Sequence, residues 1–172
     1  MTATSPWTCI LWDVDGTVVD ASDGILERLT RTLTDFGLPA PRREELAHWI
    51  GPPISVTFQQ YAGLSPERAA EAVVHYRTIG RAHGFTTGAK AYAGVPELIA
   101  DLASAGIPQA TASSKPEDQV IALMEHFGIA PHLQATVGEG EGVLKSLASK
   151  ADVVEEALHR LRLAGHDTTR PI

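Results

Sequence analysis

The chain has 172 residues, 44% of them hydrophobic and 20% charged, enough apolar material for one sizeable core or a core with a small accessory unit. That composition excludes a disordered polypeptide. The 14 Lys and Arg residues against 21 Asp and Glu give a net charge of −7 with no basic run, which excludes nucleic acid as a partner by bulk electrostatics. The single cysteine, Cys9, excludes an internal disulfide and fits a reducing compartment. With no apolar run of about 18 residues and no signal-like amino terminus, the chain reads as cytoplasmic, with no membrane partner.

The first element is the apolar run Thr8 to Trp12, bounded by Pro6 and Gly16 and short enough for a strand covered on both faces of a parallel sheet. Asp13-Val14-Asp15-Gly16-Thr17 follows it directly. Ligands of open α/β sheets bind at the carboxyl ends of the strands, and backbone N–H groups around Gly16 and Thr17 are candidates for holding an anion there. Carboxylates at positions i and i+2 allow one to attack an electrophile while the other handles protons, or both to hold a divalent metal. Asp and Gly are also common turn residues, so the stretch alone has a purely structural reading.

Residues 23–36 place Ile25, Leu29, Leu33 and Phe36 at helical spacing before Gly37 and Pro39. Further helices are predicted at 42–49, 54–61 and 66–83, the last with Ser65 as cap and Pro66 in its first turn. Trp49 and Phe58 are expected to pack inside this region, and His75 and His83 to sit on the surface. Such a long helical stretch without a strand exceeds a simple crossover and reads as an inserted helical module. From about residue 94 the pattern alternates: a helix at 96–105, a strand at 107–112, a helix at 115–127, a strand at 132–137, and a helix at 150–163 capped by Ser149 with Asp152 three residues on. A further strand is expected to begin at Pro171-Ile172, which predicts that this polypeptide is a fragment or has lost its carboxyl-terminal part.

A D-x-D-G-T strand end, a helical insertion straight after it and then α/β units resemble the haloacid dehalogenase (HAD) superfamily of phosphohydrolases. The resemblance covers nearly the whole chain. Ala91-Tyr92-Ala93-Gly94-Val95-Pro96-Glu97-Leu98 resembles the family's re-entry from cap to core, Thr111-Ala112-Ser113-Ser114-Lys115-Pro116 its second motif, and Lys150 in Ser149-Lys150-Ala151-Asp152 the lysine of its third. Ile50-Gly51-Pro52-Pro53 resembles members that are phosphoglycolate phosphatases or 5′-nucleotidases. The implied fold is α/β: a Rossmann-like core with a parallel sheet, lacking its carboxyl-terminal strands, over 1–19 and 90–172, plus an α-helical cap over 20–89.

The resemblance makes Asp13 the nucleophile that forms an aspartyl-phosphate and Asp15 the general acid and base. It makes both metal ligands for Mg²⁺. Ser113, Ser114, Lys150, Gly16 and Thr17 are then phosphate-binding, and Gly51, Pro52 and Pro53 reach the substrate from the cap. The chemistry is self-consistent, since a carboxylate attacks phosphorus well only where the phosphoryl charge is neutralised by a cation. Competing readings stand beside these. Ser113 and Ser114 are also typical helix caps, Lys145 competes with Lys150, and Lys115, before Pro116, is expected to face solvent.

The family's fourth motif, a Gly-Asp followed by a further Asp, is absent. The expected function is therefore a Mg²⁺-dependent phosphatase acting on a small phosphorylated metabolite, phosphoglycolate or a nucleoside monophosphate, with this chain weakly active or inactive. A non-catalytic ligand- or partner-binding domain and a phosphosugar mutase are the alternatives; a dehalogenase is disfavoured by the acid at Asp15. The oligomeric state is open.

Overall fold

The computed structural model describes residues 6–140 and 149–172. Strand β1 (Ile10–Trp12) pairs in parallel with β4 (Gln109–Thr111), Ile10 opposite Gln109 and Trp12 opposite Thr111. Outside β1, Pro171 bridges to Cys9 in parallel, and the Leu11 N–H donates to Ile172 O at 2.7 Å. Outside β4, Ala110 bridges to Ala135. Four parallel segments thus lie in the order 171, β1, β4, 135.

The predicted strand at 132–137 is not a regular one. Ala130–His132 form a 3₁₀ turn, and beyond the Ala135 bridge a side chain takes over the ladder. The Thr111 hydroxyl accepts from Val137 N–H at 2.7 Å and lies 2.9 Å from Val137 O, to which it donates. Between Val137 and Glu139 the chain then runs against the backbone of Lys115 and Glu117 so closely that a Cβ on Gly138 would fall 2.6 Å from Lys115 O. Only a residue without a side chain fits there.

Successive residues of β1 face opposite sides, as a strand requires. Cys9 and Leu11 join Ala110, Ala112 and Val137 against Val153, Ala157 and Leu161 of α7 (Lys150–Leu163). Trp12 faces the larger core, which holds Ile99 of α5 (Val95–Ser104) and Val120, Leu123 and Met124 of α6 (Glu117–His126). Its indole N–H donates to Gln109 Oε1 at 3.0 Å, and Gln109 Nε2 donates in turn to Ile99 O. The result is a three-layer α/β/α arrangement, as expected.

The helical insertion matches its sequence pattern closely. It consists of α1 (Ser22–Asp35), α2 (Arg43–Ala47), α3 (Ile54–Gln60) and α4 (Pro66–His83), and Ser65 caps α4 by accepting from Arg68 N–H. An antiparallel pair that the pattern did not show, β2 (Val19–Asp20) with β3 (Lys90–Ala91), closes the base of the insertion. Its strands are two residues each, too short to carry a period. Phe58 is fully buried, and the apolar cluster around it runs without interruption from α1, α3 and α4 to Val14, Val18 and Ile99.

Substituting Gly138 by Ala should destabilise the chain by about 2 kcal/mol, read as a lower urea midpoint, because the methyl group meets backbone rather than a movable side chain. An unchanged midpoint would mean that the close approach is not rigid.

Candidate active site

The turn after β1 builds one side of the site. Val14 O accepts from the N–H groups of Thr17, Val18 and Val19, Gly16 sits at φ +82°, and Val14 and Val18 are fully buried. The two buried valines fix the turn from below and leave Asp13 and Asp15 facing the cleft. The structural reading of this stretch as a turn and its chemical reading therefore coexist.

Asp13 and Asp15 line a cleft of about 100 Å³ with Ser113, Ser114, Gly51 and Pro52. Lys150 lies at the first position of α7 and crosses to the same spot: its Nζ donates to Asp13 Oδ1 at 2.8 Å and to Ala112 O at 2.6 Å. A capping box fixes that helix start, with Ser149 accepting from Asp152 N–H and Asp152 accepting from Ser149 N–H. Lys145, the competing lysine, lies outside the described residues.

Several expectations need correction. Lys115 does not face solvent: it is buried, and its Nζ stands 3.0 Å from Asp15 Oδ2. The segment is held from two sides, since Ser113 Oγ accepts the Lys115 N–H and Lys115 O accepts from the distant Glu139 N–H, which bends it inward before Pro116. Helix α6 accordingly starts at Glu117 rather than 115, and neither serine caps it. The amides of Gly16 and Thr17 are spent on Val19 O and Val14 O, and neither residue lines the cleft. Pro53 also lies outside the lining. Trp49 packs half-buried against the core, as expected, and also lines the cleft, stacked on Tyr61 at 5.5 Å.

Tyr76, Arg77, Gln119 and Glu139 also line the cleft and were missed from sequence. A signal existed for Arg77. It falls four residues after Val73 and three before Gly80, on the buried stripe of α4. Glu139 follows Val137 by two, the strand-end logic that singled out Asp13. Its side chain is only 3% exposed, Arg77 Nη2 is 3.8 Å away, and burial pushes its carboxyl up to about 6 against the opposing pull of Arg77. Burial also pushes the Tyr76 hydroxyl up to about 12.

The carboxylates suit a hard cation. Asp13 Oδ1 holds both Lys150 and the Val14 N–H, while Asp15 Oδ1 is a buried oxygen with no hydrogen-bond partner. Oxygen donors of both residues thus line the cleft, which fits the habit of Mg²⁺ to take one or two carboxylates and complete its shell with water and phosphate. No cluster of three or more His, Cys, Asp or Glu suited to a metal occurs among the described residues.

The model of the haloacid dehalogenase-like hydrolase family matches residues 10–169. The chain belongs to that family. It is 35% identical over 153 residues to the tyrosine-protein kinase PtkA of Mycobacterium tuberculosis, covering 89% of this chain and 51% of the relative. It is 36% identical over 129 residues to a 5′-nucleotidase of Pseudomonas aeruginosa, covering 75% of this chain and 58% of the relative. Among solved structures, a predicted phosphatase from Clostridium acetobutylicum superposes with a TM-score of 0.86 at 28% identity, covering 98% of this chain and 75% of that one. The chain thus spans 51% and 58% of the two curated relatives named above. Within this HAD chain no described helix is long and apolar enough to cross a membrane.

Two measurements test the site. Between pH 4.5 and 6 the folded chain holds more of the Glu139 proton than the unfolded chain, so the stability from this group is full below about 4.5 and is lost as pH rises through about 6. Over that window wild-type stability should fall by about 2 kcal/mol relative to Glu139→Gln, read by urea titration at stepped pH. Parallel curves would reject the raised carboxyl. In Lys115→Met the partly buried Asp15 loses its partner, with an expected cost on the order of 2 kcal/mol that Asp15→Asn in the same chain should largely restore. A neutral single variant would show that water replaces the lysine.

Proposed function

We propose that this chain is the catalytic part of a Mg²⁺-dependent phosphatase for a small phosphorylated metabolite, working through an aspartyl-phosphate. The observation that carries this reading is the 2.8 Å contact of Lys150 Nζ with Asp13 Oδ1, made across 137 residues of sequence at the sheet edge that also holds Asp15 and Ser113. In the proposed division, 1–19 and 90–172 form the core and 20–89 the cap. The similarity to a 5′-nucleotidase, and to a phosphoglycolate phosphatase of Pectobacterium atrosepticum at 26% identity over 140 residues, supports phosphoglycolate or a nucleoside monophosphate as substrate.

Asp13 attacks phosphorus through its free carboxylate oxygen as the ester P–O bond breaks. Asp15 gives its proton to the departing alcohol oxygen. It then takes a proton from the water that attacks the aspartyl-phosphate, the P–O bond to Asp13 breaks, and inorganic phosphate leaves. Lys150 holds Asp13 in place and spreads its positive charge over the phosphoryl oxygens, and Ser113 donates its hydroxyl to one of them. Lys115 keeps Asp15 oriented. Bound Mg²⁺, held by the Asp13 carboxylate and the Asp15 backbone carbonyl, would neutralise the charge that carboxylate and phosphate bring together. With no group of three or more metal-ligating side chains among the described residues, the chain should hold Mg²⁺ weakly and turn over slowly. The cytoplasm is the proposed location.

A second reading comes from the similarity to PtkA: phosphoryl transfer from ATP to tyrosine at the same aspartates. Hydrolysis of p-nitrophenyl phosphate with Mg²⁺ should be slow, should require millimolar metal, and should vanish in Asp13→Asn, with a beryllofluoride adduct forming on the wild type alone. Turnover that survives Asp13→Asn rejects the phosphatase reading. Labelling of a tyrosine polymer from ATP, lost in the same variant, would establish the second.

A further inference from the structure

Arg77 and Glu139 meet in the cleft without satisfying each other. Arg77 Nη2 and Glu139 Oε2 stand 3.8 Å apart, beyond hydrogen-bond reach, and their side chains are 14% and 3% exposed. Among the described residues Arg77 Nε and Nη2 are buried donors with no partner, and Glu139 Oε1 is a buried acceptor with none. Such groups are costly when left unpaired, and here both residues belong to the lining of the cleft.

The pair decides what kind of group it wants. An isolated buried arginine recruits an anion. This one has a carboxylate beside it, so the pair is close to neutral, and a second anionic group on the substrate would satisfy Arg77 only by facing Glu139. A hydroxyl answers both needs, since its oxygen accepts from the guanidinium while its hydrogen goes to the carboxylate. Across the same cleft Trp49, Ile50, Pro52 and Ile54 offer an apolar wall suited to the C–H face of such a molecule.

We propose that the cleft selects phosphomonoesters whose leaving alcohol carries a further hydroxyl group, a phosphorylated polyol or sugar, with that hydroxyl donating to Glu139 Oε1 and accepting from Arg77. This deepens the phosphatase reading and rests on it for the place of the phosphate. It separates the two substrate guesses, because a ribose-bearing phosphate has the hydroxyl and phosphoglycolate has a carboxylate instead.

The test uses three phosphonates, whose C–P bond this chemistry leaves intact: 3,4-dihydroxybutylphosphonate, n-butylphosphonate and 3-carboxypropylphosphonate, titrated calorimetrically into the chain with Mg²⁺. The diol should bind at least about tenfold tighter than the alkyl ligand, the yield of one charge-assisted hydrogen bond. In Arg77→Gln that ratio should fall to near unity, with Arg77→Lys between. Glu139→Gln leaves the arginine uncompensated, so there the carboxylate ligand should overtake the diol, a reversal that mere loss of folding does not produce. A wild type that prefers the carboxylate, a diol-to-alkyl ratio that neither substitution moves, or binding of none of the three overturns the proposal. If the predicted preferences hold but sn-glycerol 3-phosphate is not hydrolysed, the inference stands and the phosphatase reading fails. If phosphate esters are hydrolysed with no preference for the hydroxyl, the reverse is true.

Discussion

The parallel pairing of β1 with β4 is the constraint on which everything else depends. Because Trp12 lies opposite Thr111 and Ala112 N–H donates to Trp12 O at 2.8 Å, the two chains leave the sheet side by side, one delivering Asp13 and the other Ser113. Parallel strands must all end on the same edge, so groups distant in sequence arrive together without any contact having to be designed between them. The helix start at Ser149 is the remaining part. Its capping box holds the first residue of α7 at that edge and so brings Lys150 to Asp13.

Among the described residues the acidic side chains of the cleft are each matched by a cation. Asp13 faces Lys150, Asp15 faces Lys115 and Glu139 faces Arg77, so a chain of net charge −7 presents a nearly neutral site. The pairs differ in setting. The Lys150 pair is close to half exposed, where an ion pair adds little to stability, whereas Lys115 and Arg77 are largely covered. The exposed pair is free to exchange its partner for a ligand, and the covered Lys115–Asp15 pair holds geometry.

Helices were the legible part of this sequence, because a period of 3.6 repeated over three or four turns leaves a strong trace: α4 and α7 fall where Ser65 and Ser149 announce them. What stayed hidden is short or depends on partners far along the chain. The β2 and β3 strands are too brief for alternation to show, and the segment after His132 departs from a strand because a threonine hydroxyl from the neighbouring strand intercepts its backbone groups. Of the site, Asp13, Asp15, Ser113 and Lys150 were visible as strand-end or helix-start residues. Lys115 was misjudged because its direction is set by Glu139, which only the folded chain brings to it.

The unbroken apolar cluster beneath the cleft has an engineering consequence. Helical insertions of this kind invite exchange between proteins as detachable specificity modules. Here Val14 and Val18, inside the turn that carries both aspartates, share one packed interior with Leu29, Phe58 and Val73 of the inserted helices. A transplanted insertion would have to reproduce that interior in volume and shape, or the turn beneath the aspartates would lose its footing. Recognition and reactive geometry are inherited together in this chain.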